Sequence, residues 1–65
     1  MQIRAEIEVP LNVVEKLKAL EFSVGRVIPS EYHSGIYDVE VFCDDKEYPN
    51  LLKSAGVFSG ITSIV

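Results

Sequence analysis

Cysteine is nearly absent from this chain: Cys43 is the only one among 65 residues. A single cysteine cannot form an intrachain disulfide, and it cannot build a cysteine-based metal site. Unpaired cysteine is typical of reducing compartments, so we expect a cytoplasmic protein. A chain of this length buries only about 60% of its unfolded surface. We therefore expect a marginally stable fold that has no covalent or metal staple.

Long apolar runs are also missing. No stretch reaches the roughly 18 apolar residues that predict a transmembrane helix, although 48% of the residues are hydrophobic. The first residues alternate like a strand and lack the apolar block of a signal peptide. We therefore expect a soluble, globular protein that is neither exported nor bound to a membrane.

Basic residues are few. The chain has 6 Lys and Arg against 10 Asp and Glu, which gives a net charge of −4. Proteins that bind nucleic acid usually carry a basic patch, because the release of counterions from phosphates drives their affinity. Here the basic residues are scattered among acids, so we expect no direct binding to nucleic acid.

Motifs for catalysis and for cofactor binding are missing as well. The 4 glycines are dispersed and form no phosphate-binding loop, and no HExxH, CxxC or GxSxG motif occurs. The only histidine, His33, could act as a general base, but no nucleophile or orienting acid lies at a recognisable spacing from it. A surface histidine in a polar turn is the preferred alternative. The sequence therefore predicts a protein that is not an enzyme and has no cofactor or metal site.

What the chain does contain is strict polar–apolar alternation over residues 2–9 and again over residues 36–43. This period of two predicts strands with one buried and one wet face. Cys43 ends the apolar face of the second segment, where a small buried hydrophobe is expected. Because Asp44 and Asp45 would raise its pKa, we expect an inert thiol rather than a reactive one.

Two amphipathic helices are predicted between and after these strands. In the first helix, over about residues 12–21, Asn12 and Glu15 resemble a capping box. The second is predicted over about residues 47–55, and Gly56 is placed to take the left-handed conformation that ends many helices. The apolar positions at helical spacing in the first helix are Val13, Val14, Leu17 and Leu20.

Two further segments are predicted to be edge strands. Residues 23–29 are β-branched but include Gly25 and Pro29, which belong at bulges and sheet edges. Residues 61–65 (ITSIV) are β-branched and uncharged, and they predict a short last strand. The order along the chain is therefore strand, helix, strand, strand, helix, strand.

This order predicts a single α+β domain over residues 1–65 with a ferredoxin-like βαββαβ topology. With right-handed crossovers, the antiparallel sheet has the strand order 4-1-3-2, and both helices cover one face. The other face of the sheet is left open to water. The predicted core consists of Ile3, Ile7, Leu17, Leu20, Val39, Val41 and Leu51.

The open face of the sheet carries most of the candidate partner-binding residues. In a register that sets Arg4 opposite Glu40, Glu6 would lie opposite Asp38, so that one pair attracts and the other repels. A solvated face whose acids provide solubility is the first interpretation, a site for a basic partner is the second, and a catalytic carboxylate pair is the last. The candidates on this face are Arg4, Glu6, Glu8, Asp38, Glu40 and Phe42.

The last strand supplies two more candidates, Ile61 and Ile64. As an apolar edge without Lys or Pro, it would expose unpaired backbone N–H and C=O groups. We expect it to form a homodimer or to meet another protein by strand addition. The alternative is a frayed terminal segment.

Residues 51–57 (LLKSAGV) lead into residues 60–65 (GITSIV) in a way that is similar to the end of small ferredoxin-like regulatory modules. Over the whole chain the predicted topology resembles that of the ACT domain. This resemblance implies a small ligand bound near the turn from the first strand into the first helix, often at a Gly, where this chain has Val9-Pro10-Leu11-Asn12. We predict a non-catalytic protein-interaction module, such as an inhibitor, adaptor or small regulatory subunit. An ACT-like metabolite sensor is the alternative.

Overall fold

The computed structural model describes all residues, 1–65, and contains four strands and two helices. Each strand and helix lies within about two residues of its predicted position. A short 3-10 turn, Asp45–Glu47, precedes the second helix. The elements are β1 (Gln2–Pro10), α1 (Leu11–Ala19), β2 (Ser23–Pro29), β3 (Ile36–Asp44), α2 (Tyr48–Ala55) and β4 (Ile61–Ile64).

The four strands form one antiparallel sheet in the order β2-β3-β1-β4. The predicted α+β class and the strand order 4-1-3-2 are therefore confirmed. The two cleanly alternating strands, β1 and β3, are central and pair along their whole length. The edges are weaker, since β2 has a register shift between Val24 and Val27 and β4 pairs only with residues 3–6 of β1.

The core lies between one face of the sheet and the two helices. Alternate residues of β1 and β3 meet Val14 and Leu17 of α1 and Leu51 and Ala55 of α2, and no polar side chain is buried. Six of the seven predicted core residues lie in this cluster. Leu20 does not: it is 52% exposed. The core residues from the sheet are Ile3, Ala5, Ile7, Val9, Val39, Val41 and Cys43.

Leu20 is exposed because α1 ends before it. The Phe22 N–H donates to the Leu17 carbonyl and the Glu21 N–H to that of Lys18, both at 3.0 Å. These two bonds form a Schellman motif, and Glu21 takes the left-handed conformation with φ 67°. The chain therefore turns away after Ala19, and Phe22 packs against the core in place of Leu20.

The predicted capping box of α1 is also wrong. The helix begins at Leu11, directly after β1, with Pro10 at the N-cap position and no side chain capping it. The end of α2 is as predicted: Gly56 has φ 72° and closes a second Schellman motif. Neither helix is long and apolar enough to cross a membrane.

Candidate functional site

The face of the sheet opposite the helices is uncovered, and it carries the polar residues of β1 and β3. Because side chains alternate along a strand, burial of Ile3, Ile7 and Val39 turns their neighbours to this side. The sheet face defined by Arg4, Glu6, Glu8, Asp38, Glu40 and Phe42 is called the open face below. All six were predicted from the sequence to lie there.

The register across the open face differs from the one considered in the sequence. Arg4 lies opposite Phe42, Glu6 opposite Glu40 and Glu8 opposite Asp38. The strands are therefore displaced by two residues from the alignment of Arg4 with Glu40. Two pairs of like charges face each other as a result, where one was expected, and such pairs destabilise a sheet.

Arg4 relieves the first of these pairs. Its guanidinium contacts a Glu40 carboxylate oxygen at 3.1 Å and a Glu6 oxygen at 3.4 Å. The second Glu40 oxygen accepts a hydrogen bond of 3.2 Å from the backbone N–H of Arg26. The bulge in β2 interrupts its pairing with β3 near this N–H, and the carboxylate serves as its acceptor. Glu40 therefore holds the edge strand in place as well as lying on the open face.

Gly25 makes room for this arrangement. A Cβ atom at Gly25 would overlap the Glu40 carboxylate and lie 2.9 Å from the ring of Phe42. Glu40 and Phe42 are both half-buried as a consequence of this close approach. Of the predicted partner-binding residues on the open face, Arg4, Glu6, Glu40 and Phe42 thus have side-chain contacts within the domain.

The second pair of like charges has no such relief. Glu8 and Asp38 are exposed and directly opposite each other, and neither forms a salt bridge or a side-chain hydrogen bond. They lie at the end of the open face towards Pro10 and Ile36. The two carboxylates, with Glu6 beside them, form the most negative part of the open face.

A cleft of about 440 Å³ adjoins this acidic end. It exists because β4 begins only at Ile61, opposite Glu6, whereas β1 extends four residues further, to Pro10. The Val65 N–H donates to the Gln2 carbonyl, so even-numbered residues of β1 direct their backbone groups towards β4. No strand therefore pairs with the backbone N–H and C=O of Glu8 on this side. The cleft is lined by Glu6, Ile7, Glu8, Asp38, Val57, Ser59, Gly60 and Ile61.

The connection from α2 to β4 forms the opposite wall of the cleft. The backbone N–H of Gly60 donates a hydrogen bond of 2.9 Å to the Tyr48 hydroxyl, which ties the connection to the start of α2. A Cβ atom at Gly60 would lie 2.7 Å from the Glu6 carbonyl oxygen and 2.8 Å from an Ile7 methyl group. The wall therefore lies against the backbone of β1 and has a defined position.

Strand β4 is exposed along its whole length. Ile61 lies opposite Glu6, on the open-face side, and Ile64 lies opposite Ile3, on the helix side. Each is 72% exposed. The two predicted contact residues of β4 thus point to different faces, and only Ile61 borders the cleft.

The remaining chemically reactive residues lie apart from the open face. Cys43 is buried on the helix side, and burial raises the pKa of its thiol, as do the carboxylates of Glu47, Asp44 and Asp45. His33 is exposed in the turn before β3, where its backbone N–H bonds the Ser30 hydroxyl at 3.3 Å. No three His, Cys, Asp or Glu side chains are grouped so that they could hold a metal ion.

The sequence did not identify the cleft. Its acidic wall follows from the alternation of β1 and β3, but its other wall depends on where β4 ends. Gly60 could have indicated this second wall, since a glycine beside a strand often marks a place where another backbone approaches closely. Gly25 and the backbone N–H of Arg26 were likewise overlooked as partners of Glu40.

Comparison of this chain with protein-family models, with curated proteins and with solved structures finds no match.

Proposed function

We propose that this protein is a small, non-catalytic interaction module, and that the acidic end of its open face receives a basic group of a partner protein. Ferredoxin-like is the fold name we propose for its βαββαβ order, and one uncovered sheet face is a consequence of that topology. The partner would place a Lys or Arg side chain between Glu8 and Asp38.

One observation carries this proposal: Glu8 faces Asp38 across two central strands, and neither carboxylate forms a salt bridge. In the neighbouring pair, the guanidinium of Arg4 contacts the carboxylates of both Glu6 and Glu40. The domain therefore already contains one example of a cation that bridges two facing carboxylates. An incoming cation at the acidic end would complete the same pattern. Complementary charge of this kind favours partner choice and a fast encounter.

The cleft supports the same use of this end of the sheet. A partner side chain that extends past Asp38 enters a space bordered by the unpaired backbone N–H and C=O of Glu8. These groups offer one donor and one acceptor to a partner backbone. Charge on the open face and hydrogen bonds in the cleft would then act together.

An NMR titration with an oligolysine peptide tests the proposal. We expect amide shifts in residues around Glu8 and Asp38, and we expect them to disappear in the double variant Glu8→Gln/Asp38→Asn. The matched control is Glu15→Gln/Glu31→Gln, which changes the net charge by the same amount at two exposed positions. Neither of these glutamates forms a salt bridge. Equal binding by the two variants would mean that the peptide senses only net charge, and the proposal would be wrong.

A second function, ACT-like binding of a small metabolite, is favoured by the cleft alone. Its volume of about 440 Å³ falls in the range of small-molecule sites, roughly 300–1,000 Å³, although such sites are usually more apolar. The cleft lies beside the second half of β1, near the turn into α1 where the ACT resemblance implies a ligand. A thermal-shift screen with amino acids and nucleotides separates the two functions, because a metabolite that binds the folded state raises Tm.

A further inference from the structure

We propose that two copies of this chain pair through β4, antiparallel and in a single register, to form one continuous sheet of both copies. The two-fold axis passes between the two Ser63 residues, perpendicular to the sheet. This contact does not involve Glu8 or Asp38 and shares only Ile61 with the cleft, so the two proposals can fail separately.

The β4 edge lacks the features that keep sheet edges apart. Its four residues, Ile61–Ile64, include no charge, no proline and no bulge. The opposite edge, β2, is interrupted by a register shift and has Arg26 and Pro29. Edge strands that lack such protection pair with other strands. The chain therefore presents one blocked edge and one edge that is free to pair.

Only two residues of β4 direct their backbone groups outward. The hydrogen bond from the Val65 N–H to the Gln2 carbonyl shows that odd-numbered residues of β4 bond to β1. The alternation of an antiparallel strand then turns Thr62 and Ile64 to the outside. Each contributes one N–H and one C=O, so the edge exposes two donors and two acceptors.

These groups are self-complementary in one register. If Thr62 of each copy pairs with Ile64 of the other, every outward donor meets an acceptor, and Ser63 faces Ser63 at the axis. Two neighbouring registers also keep the faces aligned. Ile64 opposite Ile64 leaves the outward groups of Thr62 without a partner in β4, and Thr62 opposite Thr62 needs the Gly60 N–H. That N–H is already bonded to the Tyr48 hydroxyl at 2.9 Å. The first register satisfies the edge without breaking any bond.

The same register covers the apolar side chains that a single copy leaves exposed. On the open-face side Ile61 lies beside Val65 of the other copy, and on the helix side Ile64 lies beside Thr62. Ile61, Ile64 and Val65 are each 72% exposed in one copy. Since β4 holds no charged side chain, the paired strands bring no like charges directly opposite each other.

Sedimentation equilibrium is the first test. A contact of one short strand per copy is small, so we expect a weak dimer. Its average mass should rise from near 7.2 kDa towards, but not to, twice that value between about 10 μM and about 1 mM protein. Ile64→Lys should remain monomeric over this range. The matched control is Ile28→Lys, which changes an exposed isoleucine of β2 and should dimerise like the original chain.

Cysteine crosslinking tests the register. Ser63→Cys places two thiols opposite each other at a pair that is not hydrogen-bonded, where Cα atoms lie about 4.5 Å apart, within disulfide reach. On oxidation we expect Ser63→Cys to form a crosslinked dimer rapidly. We expect none from Thr62→Cys, because Thr62 lies opposite Ile64 of the other copy. Native Cys43 is buried and should not contribute a crosslink. A monomer at every concentration would overturn the dimer, and preferential crosslinking of Thr62→Cys would overturn the register.

Discussion

At the scale of single residues, the open face depends on how each carboxylate is balanced. Arg4 bridges Glu6 and Glu40, and Glu40 also accepts a hydrogen bond from the Arg26 backbone. Glu8 and Asp38, one step further along the same strands, have no such neighbour. Exposed ion pairs contribute little to stability. Glu8 and Asp38, whose charges are not compensated, are therefore the more informative residues about what the open face binds.

Neutralising Glu8 is therefore expected to stabilise the free protein. Glu8→Gln removes the repulsion from Asp38 and should raise the free energy of unfolding by about 0.2–1 kcal/mol at low salt. In urea unfolding at about 1 M salt the gain should vanish, because the Debye length falls to about 3 Å. Glu31→Gln, at an exposed turn position, is the control and should show no salt-dependent gain. A Glu8→Gln variant that is less stable at low salt would mean that Glu8 has a stabilising partner.

At the scale of elements, strands were easier to predict than the ends of helices. Period-2 alternation identified β1 and β3 and their two faces, because burial on one face is encoded directly in the sequence. It could not set their register, since a slip of two residues keeps every side chain on its face. No hairpin joins β1 to β3, so no loop length fixes the alignment either.

Helix ends depend on backbone conformation that composition only partly encodes. Gly56 signalled the end of α2 because glycine adopts positive φ without cost. Glu21 performs the same role at the end of α1 with φ 67°, and a glutamate gives no such signal. The helical spacing of Leu17 and Leu20 therefore suggested one continuous stripe, although α1 ends between them.

The two leucines of that stripe should consequently differ when each is shortened. Leu17 is fully buried, and Leu17→Ala should cost about 2–5 kcal/mol through lost burial and a residual cavity. Leu20 is 52% exposed, so Leu20→Ala should change stability by less than about 0.5 kcal/mol. Chemical unfolding followed by circular dichroism measures both. Equal losses for the two variants would place Leu20 in the core and contradict the end of α1 described above.

At the scale of the whole molecule, both helices lie on one side of the sheet, and the other side and one edge remain free. The core contains 11 buried residues, and none of them belongs to β4, which is exposed along its whole length. The general plan follows from the alternating strands and the helical stripe. The cleft does not, because it arises from the short pairing of β4 with β1 and from the close approach of Gly60 to β1.

The two proposed contacts are compatible in one assembly. A two-fold axis perpendicular to the sheet places both open faces on the same side of the dimer. Two acidic ends would then be presented to one partner or to two copies of it. Two linked sites of modest affinity bind more tightly together than either alone.

The most direct test of the central claim is capture of partners from a lysate by immobilised protein, compared across matched variants. We predict that the original chain and Glu15→Gln/Glu31→Gln retain the same protein, and that Glu8→Gln/Asp38→Asn loses it. Retention should also decrease at high salt, because the contact is between charges. Undiminished retention by Glu8→Gln/Asp38→Asn, with the fold intact by circular dichroism, would contradict the account.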